Sequence, residues 1–259
     1  MATGVELAYD VSGSGDCVVL IHGHPFDHTL WQPQVAALRG DFHVVAPDLR
    51  GFGHSPVTQH LVTMRELAAD IEELLETLGI ERAALVGLSM GGLVTMELAA
   101  SQPERYWAIG LVATTMEPPT PAERAARRER ADAVERDGIQ VLLDYMHAGV
   151  YGPDCPQTVR ARVDAMMSAA SPAGAAAALR GRAGRPDYRP LLADLDIPAL
   201  VCAGSADPWS DEEVTAEIVA HLKRPELVVI NGVGHLPNLE AQDQFNNGLR
   251  AFLHAHAPS

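Results

Sequence analysis

The chain has 259 residues, with 19 Lys and Arg against 34 Asp and Glu, a formal net charge of −15. A chain of this length with 47% hydrophobic residues can bury one large core, or a core with one insertion. Its cation deficit argues against holding a polyanion by counterion release, so neither nucleic acid nor an anionic membrane surface is an expected partner.

Three short apolar runs come first: VELAY (5–9), CVVLI (17–21) and HVVAP (43–47), each separated or followed by turn residues. Residues 64–78 carry apolar positions at helical spacing with acids between them, which predicts an amphipathic helix. AALVG (83–87) reads as a strand, MGGLVTMELAASQP as a helix stopped near Pro103, and WAIGLVA (107–113) as a strand. PALVCAG (198–204), a helix around 211–222, ELVVI (226–230) and a helix around 241–254 complete the pattern. Strands alternating with helices predict an α/β protein with a mainly parallel sheet covered on both faces.

Residues 117–190 differ. They are rich in Ala and Arg, hold no convincing strand, and read as helices broken at Gly138, Gly149–Pro156, Pro172 and Gly181–Pro186. A segment this long is no ordinary loop, so a helical cap inserted into a core of residues 1–116 and 191–259 is expected. This cap holds 11 arginines against 10 acids, leaving 8 cationic against 24 acidic residues in the core. The acidity of the chain therefore belongs to its sheet domain.

No basic stretch followed by an apolar run opens the chain, and no run reaches transmembrane length. Cys17, Cys155 and Cys202 are an odd number without close pairing, which suggests buried free thiols and a cytoplasmic setting.

The strongest motif is Gly87-Leu88-Ser89-Met90-Gly91, between a strand and a helix. That context suits a nucleophile elbow, in which small residues permit a sharp turn and the serine stands at a helix N-terminus. A serine alcohol needs a base, and the base an orienting acid. His235 follows strand ELVVI and Asp207 follows strand PALVCAG, the ends at which an open α/β sheet collects its ligands. Asp211, Glu212 and Glu240 are rival acids in more helix-like sequence. The backbone N–H groups of His24 and Met90 are the expected oxyanion donors, with His22 packing beneath the loop. The cluster His22, His24, Asp27 and His28 superficially suggests metal ligation. No second ligand cluster accompanies it, and the loop has a complete alternative role, so neither a metal nor another cofactor is expected.

Together HGHPFDHTLW (22–31), APDLRGFGHSP (46–56), GLSMGG (87–92), GSADPW (204–209) and GVGHLPNLE (232–240) resemble the α/β-hydrolase superfamily in its small lidded branch. The resemblance implies a mostly parallel eight-stranded sheet, its first strand short or missing here, with a helical cap after the sixth. It also implies a Ser-His-Asp triad without metal or organic cofactor. Aspartate-nucleophile members are disfavoured by Ser89. The carbon–carbon bond hydrolases are disfavoured by the oxyanion loop, and the hydroxynitrile lyases by Lys223 being the only lysine. The remaining resemblance is to 3-oxoadipate enol-lactonases, small carboxylesterases and cofactor-free haloperoxidases (perhydrolases). It implies acyl transfer from a small-molecule ester, lactone or thioester by a monomer or homodimer. A thioesterase or an acyl-transferring cyclase could use the same residues, whereas a binding protein would be expected to lose a triad member. Phe26, Trp31, Met116, Tyr145, Met146, Met166, Met167 and Trp209 are candidate pocket residues. Of the cap arginines, Arg180, Arg182, Arg185 or Arg189 could pair with a substrate carboxylate. ARRERADAVER (126–136) reads instead as exposed helix pairs.

Overall fold

The computed structural model describes residues 4–258. In chain order the elements begin with β1 (Tyr9–Ser12), β2 (Cys17–Ile21), α1 (Gln32–Leu38), β3 (His43–Pro47), α2 (Met64–Thr77), β4 (Ala83–Leu88), α3 (Met90–Ser101) and β5 (Tyr106–Val112). Five helices follow without a strand: α4 (Pro121–Asp137), α5 (Gln140–His147), α6 (Gln157–Ala169), α7 (Pro172–Ala183) and α8 (Arg189–Asp194). The chain then returns through β6 (Ala199–Gly204), α9 (Glu212–His221), β7 (Pro225–Ile230), α10 (Pro237–Glu240) and α11 (Gln242–His256). This is an α/β-hydrolase fold with an inserted helical cap region.

The described strands form one seven-stranded sheet in the order β1-β3-β2-β4-β5-β6-β7, parallel except for β1. Buried branched residues in β2, β4 and β5 suit strands covered on both faces. The strand expected over 5–9 lies instead at Tyr9–Ser12, where Tyr9 faces Pro47 and Ser12 faces Val44. Its register is set by pairing with β3 after the turn at Gly13, not by the apolar character of VELAY, and Tyr9 and Val11 remain exposed. At the other edge, β7 also leaves Leu227 and Val229 exposed, so the sheet is not fully covered there.

Local chemistry fixes the helices. Thr63 and Glu66 form a reciprocal capping box at α2, and Thr120 and Glu123 form another at α4. Leu67, Ile71, Leu74 and Leu75 form the buried stripe of α2 at helical spacing. A buried ion pair from Arg50 to Asp70, with Nε to Oδ2 at 2.7 Å, ties the loop after β3 to this helix.

The cap is seated closely. Helix α7 ends at Ala183, inside the break expected over Gly181–Pro186, with Gly181 in its last turn, where a Cβ would stand 1.7 Å from the Val62 carbonyl oxygen. A glycine at that point lets the cap helix lie directly on core backbone. Helix α8 straddles residue 190.

All three cysteines are free and buried, and burial pushes the Cys17 and Cys202 thiols up to about 12 and Cys155 to about 11. Among the described residues, no helix is long and apolar enough to cross a membrane.

Candidate functional site

The order β3-β2-β4 means that the chain reverses its direction of winding between β2 and β4, so the carboxyl ends of these two strands open a crevice. Ile21 pairs with Gly87 in register, which brings residues 22–24 beside residues 88–90. The approach depends on missing side chains. A Cβ at Gly91 would meet the Ile21 carbonyl oxygen at 2.1 Å, and one at Gly87 would meet the Gly91 carbonyl oxygen at 2.1 Å.

Ser89 sits between β4 and α3 with φ 55° and ψ −110°. Its N–H donates to the Val112 carbonyl at 2.8 Å and its carbonyl accepts from the Thr114 hydroxyl at 2.7 Å. Ala113 has φ 47°, and among the described residues these are the two non-glycine residues with positive φ. Both border one cavity of about 290 Å³, and His24 and His235 border it too. Backbone strain of this kind gathers at functional sites, where the surrounding structure enforces it.

His235 Nδ1 lies 2.7 Å from Asp207 Oδ2, and both residues are buried. Asp207 Oδ1 accepts from the Trp209 N–H at 2.9 Å, and Oδ2 also accepts from the Ser210 hydroxyl. Burial alone would raise the Asp207 pKa, but the His235 charge and these donors hold it below its ordinary value. Of the rival acids, Asp211 caps α9 by accepting from the Val214 N–H. Glu240 Oε2 instead accepts from Gly152 N–H at 2.9 Å and Gly234 N–H at 3.2 Å, tying the cap to the loop that carries His235. Burial raises the Glu240 pKa. The His235 N–H also donates to the Val150 carbonyl of the cap at 3.1 Å.

His22 donates through Nδ1 to the Gly23 carbonyl while Nε2 accepts from the Leu49 N–H, at 2.8 and 2.9 Å. It thus packs beneath the loop as a neutral imidazole, and burial lowers its pKa. His24 Nε2 donates to the Ala175 carbonyl of α7 at 2.9 Å, and burial followed by the charge of Arg182 pulls its pKa down to about 3. Asp27, His28 and Asp48 bring three possible ligand atoms within 4.8 Å of one another. They are already engaged. Asp48 Oδ1 accepts from the His28 N–H at 2.7 Å and His28 Nδ1 at 2.8 Å, and Oδ2 accepts from His54 N–H at 2.8 Å. Asp27 Oδ1 accepts from the Thr29 N–H at 2.8 Å.

Of the expected pocket residues, Tyr145, Met146 and Trp209 line the cavity. Phe26, Trp31, Met116, Met166 and Met167 do not line it; they belong to the buried core, Trp31 packing against Phe245 at a centroid distance of 6.2 Å. Their sequence positions resemble pocket positions because the core and the pocket both take large apolar residues. Trp209 stands edge-on to His235 at 4.8 Å and stacks on Tyr145 at 5.8 Å, and the Arg130 guanidinium lies 3.5 Å over the Tyr145 ring. A continuous run of ring contacts thus leads from cap to histidine.

The arginines divide differently from expectation. Arg182 and Arg185 border the cavity, whereas Arg180 pairs with Asp132 and Glu135, and Arg189 with Asp187, Glu117 and Glu217. Arg127 and Arg130, expected on an exposed face, border the cavity as well. The spacing of 127, 130, 131 and 134 held the signal, since Ala131 and Val134 are buried on that same stripe of α4.

The pattern of the alpha/beta hydrolase family matches residues 18–247. The chain is 32% identical over 254 residues to 3-oxoadipate enol-lactonase 1 of Acinetobacter baylyi, covering 93% of this chain and 91% of that one. Among solved structures, a malate-bound thermophilic esterase from Thermogutta terrifontis aligns with TM-score 0.94 and 34% identity over 99% of this chain and 97% of that one. The enol-lactonase from Burkholderia xenovorans aligns with TM-score 0.89 and 28% identity over 98% of each chain. With the family pattern spanning most of its length, this chain belongs to the alpha/beta hydrolase family.

Proposed function

We propose that this protein hydrolyses a small carboxylic ester or lactone through an acyl-enzyme on Ser89. The observation that carries the reading is a strained Ser89 sharing a cavity with His235, whose Nδ1 lies 2.7 Å from buried Asp207. With Nδ1 held by the carboxylate, Nε2 is the nitrogen free to act as base. Ser89 Oγ attacks the carbonyl carbon as its proton passes to His235 Nε2, and Asp207 stabilises the resulting imidazolium. The N–H groups of His24 and Met90 take the charge on the carbonyl oxygen. Collapse of the intermediate expels an alcohol, or opens a lactone ring, with the proton returned from His235 to the leaving oxygen. Water then attacks the acyl group, giving its proton to His235, and Ser89 is released as the alcohol. In this reading residues 1–116 and 191–259 supply the chemistry and the cap of residues 117–190 supplies substrate choice. The relatives named for esterase and enol-lactonase activity support the same reaction class.

The test is Ser89→Ala against a panel of p-nitrophenyl esters and butyrolactones, with a fluorophosphonate probe for the serine. Turnover is expected to fall by about four orders of magnitude or more and labelling to vanish. Full turnover by the variant would refute the reading.

A further inference from the structure

The cavity above Ser89 has an excess of positive charge. Arg127 and Arg130 of α4, Arg182 in the last turn of α7 and Arg185 just beyond it border it, against the carboxylates of Glu117 and Glu123. Neither carboxylate answers Arg182. Glu123 Oε2 accepts from the Thr120 N–H and hydroxyl at 2.8 and 3.0 Å, and its other oxygen reaches Arg127 at 3.8 Å. Glu117 lies 3.4 Å from Arg189. Arg185 is held by the Glu117 carbonyl at 2.9 Å, and Arg130 rests on Tyr145.

Arg182 forms no ion pair among the described residues, and its buried Nε–H lacks an acceptor; Arg127 Nη1 is buried and unsatisfied too. Arg180, two residues from Arg182, shows the contrast, since two carboxylates engage it at 2.7 and 2.6 Å. Buried guanidinium donors without acceptors are costly, and a bound anion removes that cost. Burial, with the like charges of Arg127 and Arg185, pulls the Arg182 guanidinium down to about 9, so it is still a cation at neutral pH. The rest of the wall is suited to a short apolar body, with Leu93, Leu142 and Leu179 on it. A cavity of about 290 Å³ stands at the small end of the range for ligand pockets, which suits a short substrate.

We propose that Arg182 and Arg127 form an anion subsite in the cap that holds a carboxylate of the substrate, making short carboxylated esters or lactones the preferred class. This rests on the hydrolase reading and adds the substrate's charge to it. A planar guanidinium donates two parallel bonds to a carboxylate, which a methyl ester cannot accept with equal strength.

The test compares p-nitrophenyl hemisuccinate with its methyl ester, and titrates succinate into the Ser89→Ala protein while its melting temperature is followed. The wild type is expected to favour the acid by about 10- to 100-fold in kcat/KM, the worth of one charge-assisted contact. Arg182→Gln should collapse that ratio toward one, Arg189→Gln should keep it, and succinate should raise the melting temperature only while Arg182 is present. If Arg182→Gln does not fold, Arg127→Gln carries the same comparison. Equal turnover of acid and methyl ester by the wild type, with no effect of succinate, overturns the subsite while the hydrolase reading stands. If neither ester is cleaved and Ser89 resists the fluorophosphonate, the hydrolase reading falls, and succinate binding alone then decides the subsite.

Discussion

Asp207→Asn turns one accepting oxygen into a donating NH₂ with almost no change in volume, which makes it the most discriminating perturbation of the site. In the native protein both carboxylate oxygens only accept, Oδ1 from the Trp209 N–H and Oδ2 from His235 Nδ1–H and the Ser210 hydroxyl. An asparagine has one accepting oxygen and one donating NH₂. If the oxygen faces Trp209, the NH₂ faces His235 and Ser210. The serine hydroxyl can turn to accept, so this orientation costs least. His235 must then accept at Nδ1 and carry its proton on Nε2, the atom that receives the proton of Ser89 in the proposed mechanism. The opposite orientation sets NH₂ against the Trp209 N–H, leaving two buried donors face to face. That clash disfavours the second orientation, so the first prevails: the fold persists and the working tautomer is lost. The expected fall in kcat is about 10³- to 10⁴-fold, or about 4–5.5 kcal/mol of barrier. Steady-state turnover of p-nitrophenyl acetate measures it, with circular dichroism to establish folding. Glu240→Gln serves as the comparison. A folded Asp207→Asn protein keeping more than about a tenth of wild-type kcat, or an equal loss in Glu240→Gln, would refute the tautomer argument and the assignment of the acid.

Two further outcomes follow from other parts of the fold. In Gly181→Ala the new Cβ meets the Val62 carbonyl at 1.7 Å, so α7 must lift from core backbone. The expected cost is about 2–3 kcal/mol, or roughly 5–10 °C in melting temperature by differential scanning calorimetry, and an unchanged melting temperature would show that the cap is not seated there. For the His28–Asp48 pair the sign depends on the pH. The hydrogen bond to Asp48, opposed by burial, raises the His28 pKa above its ordinary 6.5. Against burial, the donors from His28 and His54 hold Asp48 below its ordinary 3.8. The Asp48 contribution is present above the unfolded carboxylate value and lost as pH falls through the lower folded one. The His28 contribution is complete below the unfolded imidazole value and lost as pH rises through the higher folded one. The stability difference between wild type and His28→Gln should therefore be largest between about pH 4 and 6.5 and shrink above it. A difference that grows towards alkaline pH would contradict the pairing.

The sheet domain was legible because its signals are local. A buried parallel strand such as Cys17–Ile21 is a continuous apolar run between turns, and the helix at Met64–Thr77 shows both its stripe and its cap in the sequence. Ser89, Asp207 and His235 could be selected because each follows a strand end, and the parallel order gathers those ends. Less legible was whatever depends on distance in the chain. The bond from the Gly152 N–H to Glu240 joins residues far apart in sequence, and so does the one from His24 to the Ala175 carbonyl. Aromatic and methionine side chains were the hardest to divide, since Phe26 and Met167 entered the core while Tyr145 and Met146 bordered the cavity. Arg127 and Arg130 misled for a physical reason. On a helix dense in both signs of charge, i to i+4 pairing on the surface is the ordinary outcome, and only the burial of Ala131 and Val134 turns that stripe inward.

The run of contacts from Arg130 through Tyr145 and Trp209 to His235 also has an optical consequence. Of three tryptophans, Trp31 and Trp107 are buried in the core, and Trp209 alone borders the cavity while touching the imidazole. Two indoles therefore emit from surroundings that a ligand does not reach, and the third from surroundings that a ligand, a charged histidine or a shift of the cap must alter. Fluorescence from the unlabelled protein thus reports on the cavity against a constant background, on the timescale of binding and without a chromogenic substrate.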